Sequence, residues 1–463
     1  MKILVIGLDC AAPEFLFSDE KLVHLRRLMS HGVYGRLESV IPPITVPAWM
    51  CLATGQDPGQ LGVYGFRNRQ DYSYTKLGVA NSRSFDQPAL WDILGRQGRK
   101  VILVGVPPSY PPRRVNGISV GCFLTPNPQK EIFTFPPRLS DEILEWVKDY
   151  AVDVREFRTD RKDWLQKEIF SMSRRHFEVV RRLLRGKEWD YFHFVEIGLD
   201  RIHHGFWQYS DPTHPLFQAG NPFENTIRDY YRYLDEEIGR LLELVDRRTI
   251  VLVVSDHGAK ALQGGFCINE WLFRQGLLAL REYPAAVTPF EKLPVDWQNT
   301  KAWSEGGYYA RVFLNVKGRE PQGSIDPRDY EKVRKEIKAR LEALPDDRGK
   351  PMRTRVFIPE EIYRQVRGIA PDLIVYLGDL AWRSIGSVGY PGFYTADNDT
   401  GPDGCNHAPD GCFIISAPGI PASGEIKKAS LLQVAPSLLQ LSGLEIPETM
   451  KSKPWEWVGG PIG

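Results

Sequence analysis

The chain has 463 residues, 42% of them hydrophobic and 25% charged, and its 59 basic and 58 acidic residues leave a formal net charge of +1. That length suits one large enzyme domain with insertions. The balanced charge gives no electrostatic case for a nucleic-acid duplex or an acidic membrane surface as partner. The pairs Arg174-Arg175 and Arg181-Arg182 read as solvated helix faces. Six dispersed cysteines without a CxxC pair argue against a zinc knuckle or a disulfide framework.

The opening MKILVIGLD carries too short an apolar run for a secretory signal. No stretch approaches the roughly 18 apolar residues of a membrane span. The expectation is a cytoplasmic protein without a membrane span, and a homo-oligomer is compatible with the sequence. Lys2–Leu8 lacks alternation and reads as a strand buried on both faces. Similar runs recur at Val101–Val106, Tyr191–Val195, Ile250–Val254, Leu373–Tyr376 and Cys412–Ile415. Helical patterns lie between them at Glu20–His31, Gln87–Arg96, Trp164–Leu184, Thr226–Val245, Tyr330–Ala343 and Leu431–Leu441. This alternation predicts an α/β sandwich with a mainly parallel sheet. Residues 1–463 read as one catalytic unit. The segments Pro108–Lys187 and Asn269–Ile369 read as cap or inserted elements.

Chemistry in such sheets gathers at the carboxyl ends of the strands. Asp9 directly follows the first run, and Asp256 and His257 follow TIVLVVS. Asp200 follows YFHFVEIGL by a short turn. In DRIHH, Asp200 and His204 are four positions apart and share a helix face, with His203 as the rival ligand. In SDHG, Gly258 would let a turn with positive φ present Asp256 and His257 together. The alternative there is an aspartate capping a helix. His407 lies a short turn before its apolar run, at the opposite end of that strand in a simple topology. Asp200, His204 and His407 would make one three-ligand site, and Asp9, Asp256 and His257 another, each with a position left open. Two such cations can clamp a phosphoryl or sulfuryl group in an in-line displacement.

The segment IPPITVPAWMCLATG places Thr45 at the start of a helix, where free N–H groups near residues 45–47 favour an anionic oxygen. Coordination to a dication would activate its hydroxyl. The simpler alternative is that Thr45 caps the helix.

With these residues assembled, the chain resembles the alkaline phosphatase superfamily, in particular its type I phosphodiesterase/nucleotide pyrophosphatase branch. The resemblance runs from the strand ending in Asp9 through the Thr45 motif closing at Ala53-Thr54-Gly55, the Asp200/His204 pair, Ser255-Asp256-His257-Gly258 and His407. It continues into APGI at Ala417–Ile420 and VAPSLLQLSGLEIP at Val434–Pro447. It implies an alkaline-phosphatase-like three-layer α/β/α sandwich with cap insertions. It also implies a phospho-threonine intermediate on Thr45 and two divalent ions per chain, Zn2+ or Mn2+. One ion would be held by Asp9, Thr45, Asp256 and His257, the other by Asp200, His204 and His407. The substrate would be a small-molecule phosphate ester.

One departure concerns an asparagine that follows the nucleophile helix in nucleotide pyrophosphatases. Here GQLGVYGFRNR puts Gly65 or Phe66 at that place, with Asn68 shifted and Arg67 beside it. An inward arginine would suit a dianionic monoester. Tyr64, Phe66, Tyr110, Trp207 and Tyr209 are candidates for stacking on a base or aryl group. Asn406 and Lys260 are further candidates for phosphate contact. A phosphomonoesterase or a phosphomutase of the same superfamily is the rival enzyme. The typical serine and inserted transferase domain of the mutases are not evident. A sulfatase is disfavoured because Thr45-Val46-Pro47-Ala48-Trp49 lacks the expected arginine. Phosphonate and phosphoglycerol-type substrates stay open, and a non-catalytic metal- or phosphate-binding protein is the non-enzymatic alternative.

Overall fold

A computed structural model describes residues 2–417, 419–420 and 422–459. Pro418, within the APGI motif, lies outside them. The central sheet has nine strands in the order Gly424–Ser430, Val33–Glu38, Asp410–Ser416, Ile250–Val254, Ile3–Leu8, Tyr191–Glu196, Val101–Val104, Gly117–Val120 and Thr134–Phe135. Ile3–Leu8 runs parallel to both of its neighbours, and Asp410–Ser416 runs antiparallel to both of its own. Helices cover both faces of this mainly parallel sheet, as in an alkaline-phosphatase-like α/β/α sandwich.

The side-chain alternation of the first strand explains why its run is continuous. Leu4, Ile6 and Leu8 enter the core on one face, with the helices Lys162–Gly186 and Thr226–Leu242. Ile3 and Val5 enter the core on the other, with the helices Thr45–Thr54 and Val434–Leu441. A strand sandwiched in this way has no solvent face on which to place polar residues.

Most expected runs are strands at the expected places, and Ile250–Val254 matches at both ends. Leu373–Tyr376 differs. It lies in a separate four-stranded antiparallel sheet with Ala302–Glu305, Ala310–Leu314 and Arg355–Phe357, around a core of its own. An apolar run of that length is compatible with either sheet, and periodicity alone does not distinguish them. Residues 108–187 supply two strands of the central sheet and the long helix Lys162–Gly186.

Gly7 shows how the sheet is fitted to its edge. A Cβ there would sit 2.5 Å from the Trp49 ring and 2.7 Å from Val195. Gly7→Ala is expected to cost about 1–3 kcal/mol through overpacking, read from urea unfolding. A cost below about 0.5 kcal/mol would show that the indole moves freely.

His193 is buried in the sheet among Trp49, Trp91 and Tyr191. Burial lowers its pKa from 6.5 to about 3. The unfolded chain therefore binds this proton first as pH falls, so stability is lost from pH 6.5 down through about 3. His193→Asn should flatten the pH dependence of unfolding free energy in that window. An unchanged slope would show that His193 does not contribute.

Candidate metal centre

Four segments deliver side chains to one edge of the sheet. Asp9 follows Leu8 at the end of its strand. Asp256 and His257 follow Val254 in a turn pinned by Ser255, whose hydroxyl accepts from Ala11 N (2.8 Å) and donates to His257 O (2.6 Å). Gly258 is not in the left-handed region expected of it. It opens the strand Gly258–Ala261, and its small size is required because a Cβ would meet Asp410 O at 2.1 Å. Asp256 caps no helix.

The helix Gly198–Ser210 carries Asp200 and His204 on one face. Its first turn is anchored by the buried Glu196 carboxylate, which accepts from Gly198 N (2.8 Å), Ser173 Oγ (2.7 Å) and Tyr230 Oη (3.0 Å). His203 points elsewhere, into Phe15, Trp207 and Tyr231. His407 stands in Cys405–Ala408, antiparallel to Gly258–Ala261 and opposite Ala259. The strand that follows it is also antiparallel, so its beginning lies at the same sheet edge as the end of Ile250–Val254. The expectation of an opposite end assumed a parallel strand and is corrected.

Thr45 is the first residue of its helix and makes no capping bond. Its Oγ lies 3.3 Å from His257 Nε2. Pro47 offers no N–H, so the amide groups of this first turn are those of Thr45 and Val46.

Two buried clusters result. Ligand atoms of Asp9, Asp256 and His257 lie within 4.8 Å of one another, as do those of Cys10, Asp200, His204 and His407. The stacked rings of His257 and His407, 3.8 Å apart, join the clusters. Asp9 Oδ2 accepts from Trp49 Nε1 at 2.7 Å, while Asp9 Oδ1 and Asp256 Oδ2 are buried without partners. His257 Nδ1 donates to Gly258 O (3.1 Å), His407 Nδ1 donates to Pro43 O (2.8 Å), and His204 Nδ1 meets Asp403 Oδ1 (2.8 Å). These bonds turn the Nε2 atoms into the site, where those of His204 and His407 lie 3.3 Å apart. Buried donors gathered this closely, with two carboxylate oxygens lacking hydrogen bonds, are what a cation would resolve, so the residues fit divalent ions.

The charges tell the same story. Burial, then repulsion from Asp200, holds the Asp9 carboxyl well above its usual range. Burial, then Asp9, does the same to Asp256. Asp200 moves the other way, because His204 and Arg201 outweigh its burial. Burial pushes His257 down to about 4.

A supporting shell was not foreseen from the sequence. Asp403 orients His204 and is gripped by Arg158 (3.0 Å) and Arg383 (3.5 Å). Arg201 binds Asp200 and holds Asp153 through two bonds, at 2.7 and 2.8 Å. Tyr308 stacks on His204 and His407 and accepts from Arg158. Asp403 sits in a GPDG stretch that reads as an ordinary turn. Cys10, beside Asp9, was signalled only by adjacency.

The expected substrate residues scatter. Tyr64 donates to Arg367 O (2.6 Å), and Asn68 bonds Tyr64 N and Gly65 O (2.8 and 2.9 Å). Lys260 donates to Asp379 O (2.9 Å), and Asn406 to Tyr308 O and Leu380 O (2.9 and 2.8 Å). Phe66 packs edge-on against Phe123. Tyr110 meets Glu131, Trp207 bonds Asp211, and Tyr209 packs on Phe223. Arg67 is exposed and lines a cavity of about 740 Å³ with Arg383 and Trp297. Gly65 has no room for a side chain, because a Cβ would meet Tyr309 Oη at 2.8 Å.

Residues 3–404 match the family described as type I phosphodiesterase / nucleotide pyrophosphatase. The chain belongs to that family. This phosphodiesterase-family chain is thereby a member of the alkaline phosphatase superfamily and a metal-dependent phosphate-ester hydrolase with two candidate metal sites. Human ectonucleotide pyrophosphatase / phosphodiesterase 5 is similar in fold, with a TM-score of 0.58 and 13% identity over 99% of this chain and 98% of that one. Phosphonoacetate hydrolase from Sinorhizobium meliloti, solved with phosphonoformate, has a TM-score of 0.60 and 16% identity over 94% of each chain. No curated protein sequence matches. No helix among the described residues is long and apolar enough to cross a membrane.

Asp403→Asn should weaken metal binding at the Asp200/His204/His407 cluster by about 10–100-fold, as loss of a carboxylate behind a ligating histidine does. Competition against a chromophoric chelator would measure it. Unchanged affinity would show that Asp403 serves only the arginines.

Proposed function

We propose that this phosphodiesterase-family member hydrolyses small-molecule phosphodiesters through a phospho-threonine on Thr45. The observation that carries this reading is the Thr45 hydroxyl at the first turn of a buried helix, 3.3 Å from His257 Nε2, whose ring stacks on His407 of the other cluster. Asp9, Thr45, Asp256 and His257 would hold one cation, and Asp200, His204 and His407 the other, with zinc or manganese suited to these donors. Such cations, when bound, lower the pKa of coordinated hydroxyls and screen phosphoryl oxygens.

The chain's own part is positioning. Trp49 fixes Asp9, and backbone carbonyls fix the tautomers of His257 and His407. Thr45 Oγ attacks phosphorus and its proton passes to solvent. The bond from phosphorus to the leaving oxygen breaks, and that oxygen takes a proton from water. Water then attacks phosphorus and restores the threonine hydroxyl. The N–H groups of Thr45 and Val46 face the developing charge at the helix start.

Preference for a diester is supported by the arginines. Arg158, Arg201 and Arg383 touch the site's carboxylates and are committed to them, so none is left to clamp a second phosphoryl charge. Arg67 is kept as a contact for the leaving group in its cavity. The murine ectonucleotide pyrophosphatase / phosphodiesterase 5, solved as an inactive threonine-to-alanine variant with AMP, supports the threonine and a nucleotide-like substrate. The Sinorhizobium meliloti enzyme, solved with phosphonoacetate and with phosphonoformate, favours a second reading in which the substrate is a phosphonate. Segment 269–369 acts as a cap in this proposal and 108–187 contributes its Arg158 loop, since Tyr308 and Arg158 come one from each and meet beside His204.

Thr45→Ala should lower kcat on an aryl phosphodiester on the order of 1,000-fold or more while metal stoichiometry is retained. Full metal-dependent turnover in that variant would sink the covalent route. The wild type should favour the diester over the matching monoester at least ~10-fold in kcat/KM, about 1.4 kcal/mol of discrimination.

A further inference from the structure

We propose that Cys10 is a fourth ligand of the Asp200/His204/His407 cluster, making it a thiolate-containing site selective for zinc-like cations. This rests on the two-metal reading above and adds a donor that the sequence comparison of motifs does not supply.

Cys10 follows Asp9 but serves the other cluster. Its φ of 65° places it in the left-handed region, which turns the chain sharply between the two residues. The backbone N–H is held by Asp256 Oδ1 at 3.3 Å. The sulfur then falls among the ligand atoms of Asp200, His204 and His407, all within 4.8 Å of one another and all buried. Cys10 itself is fully buried. Its thiol donates to Gly258 O at 3.5 Å, a weak bond that a cation can replace. Non-glycine residues persist in this conformation where the surrounding structure holds them, and such places cluster at functional sites.

Ligation breaks the S–H bond, forms a sulfur–cation bond and releases the proton to solvent. A carboxylate, two imidazoles and a thiolate would supply four donors, a number that zinc accepts while still able to take a fifth. The partner cluster offers only oxygen and one imidazole. Soft sulfur favours zinc or cobalt over manganese, so the two sites differ in preference and mixed-metal loading follows.

The test is a titration of metal-free, full-length protein with Co2+, read by absorbance. The wild type should develop a near-ultraviolet thiolate-to-cobalt band that saturates at one equivalent. Cys10→Gly, which the backbone accepts, should lose the band and bind zinc at least ~10-fold more weakly at that site. Cys10→Ser controls for shape and should also lose the band, while Cys405→Ser should keep it. Two bound cobalt ions with turnover but no band would overturn Cys10 ligation and leave the hydrolase reading intact. A band that survives both Cys10 variants would equally overturn it. Failure to bind cobalt at all would overturn the metal reading beneath it.

Discussion

Everything at this sheet edge follows from burying three carboxylates together. Asp9, Asp200 and Asp256 are each at most 2% exposed. Two like charges 4 Å apart repel by about 4 kcal/mol at an effective dielectric of 20, before any loss of hydration is counted. The protein answers with unequal neighbours. Asp200 receives Arg201 and the histidines and stays ionised, while Asp9 and Asp256 have one indole, one amide and the neutral ring of His257 near them and are driven toward protonation. A dication held here would remove this penalty at the place where the proposed chemistry needs positive charge. Ions bound here would therefore couple stability to function.

The surrounding shell distributes charge outward in alternation. His204 leans on Asp403, Asp403 on Arg158 and Arg383, and Arg158 on Tyr308, which lies back across both histidine rings. Arg201 links Asp200 to Asp153 in the same way. Each charge meets its opposite before it meets apolar core, which is the condition for a buried network to be rigid. Rigidity here sets where the Nε2 atoms stand.

Much of this was legible in the sequence, for identifiable reasons. Ile250–Val254 and Ile3–Leu8 are buried on both faces, so their apolar runs are unbroken and their ends mark the chemical edge. Helical phase separates His204 from His203 once the helix start at Gly198 is known. Other features left no local trace. Val33–Glu38 alternates and contains Gly35, which admits the Ile426 carbonyl of the adjoining strand, so it gives no continuous run. The direction of Asp410–Ser416 is a tertiary property, and the place of His407 depended on it. Asp403 is an aspartate in a turn until Arg158, 245 positions away, is brought against it. Side chains expected at the substrate, such as Asn406 and Tyr64, turn out to bond the backbone, and their residue types alone could not say so.

The antiparallel strand Asp410–Ser416 also has a meaning for biosynthesis. It is wedged between Val33–Glu38 and Ile250–Val254, so a strand made early must wait, unpaired on that side, for one made near the end. Pairings of such sequence separation are slow to close. The same segment brings His407, so a nascent chain can hold Asp9, Thr45, Asp200, His204, Asp256 and His257 and still lack the last of the proposed ligands. On the proposed ligand set, metal capture would wait for this late pairing. Both neighbours of Val33–Glu38 are made after residue 400, so this early strand is paired on neither side until synthesis is nearly finished.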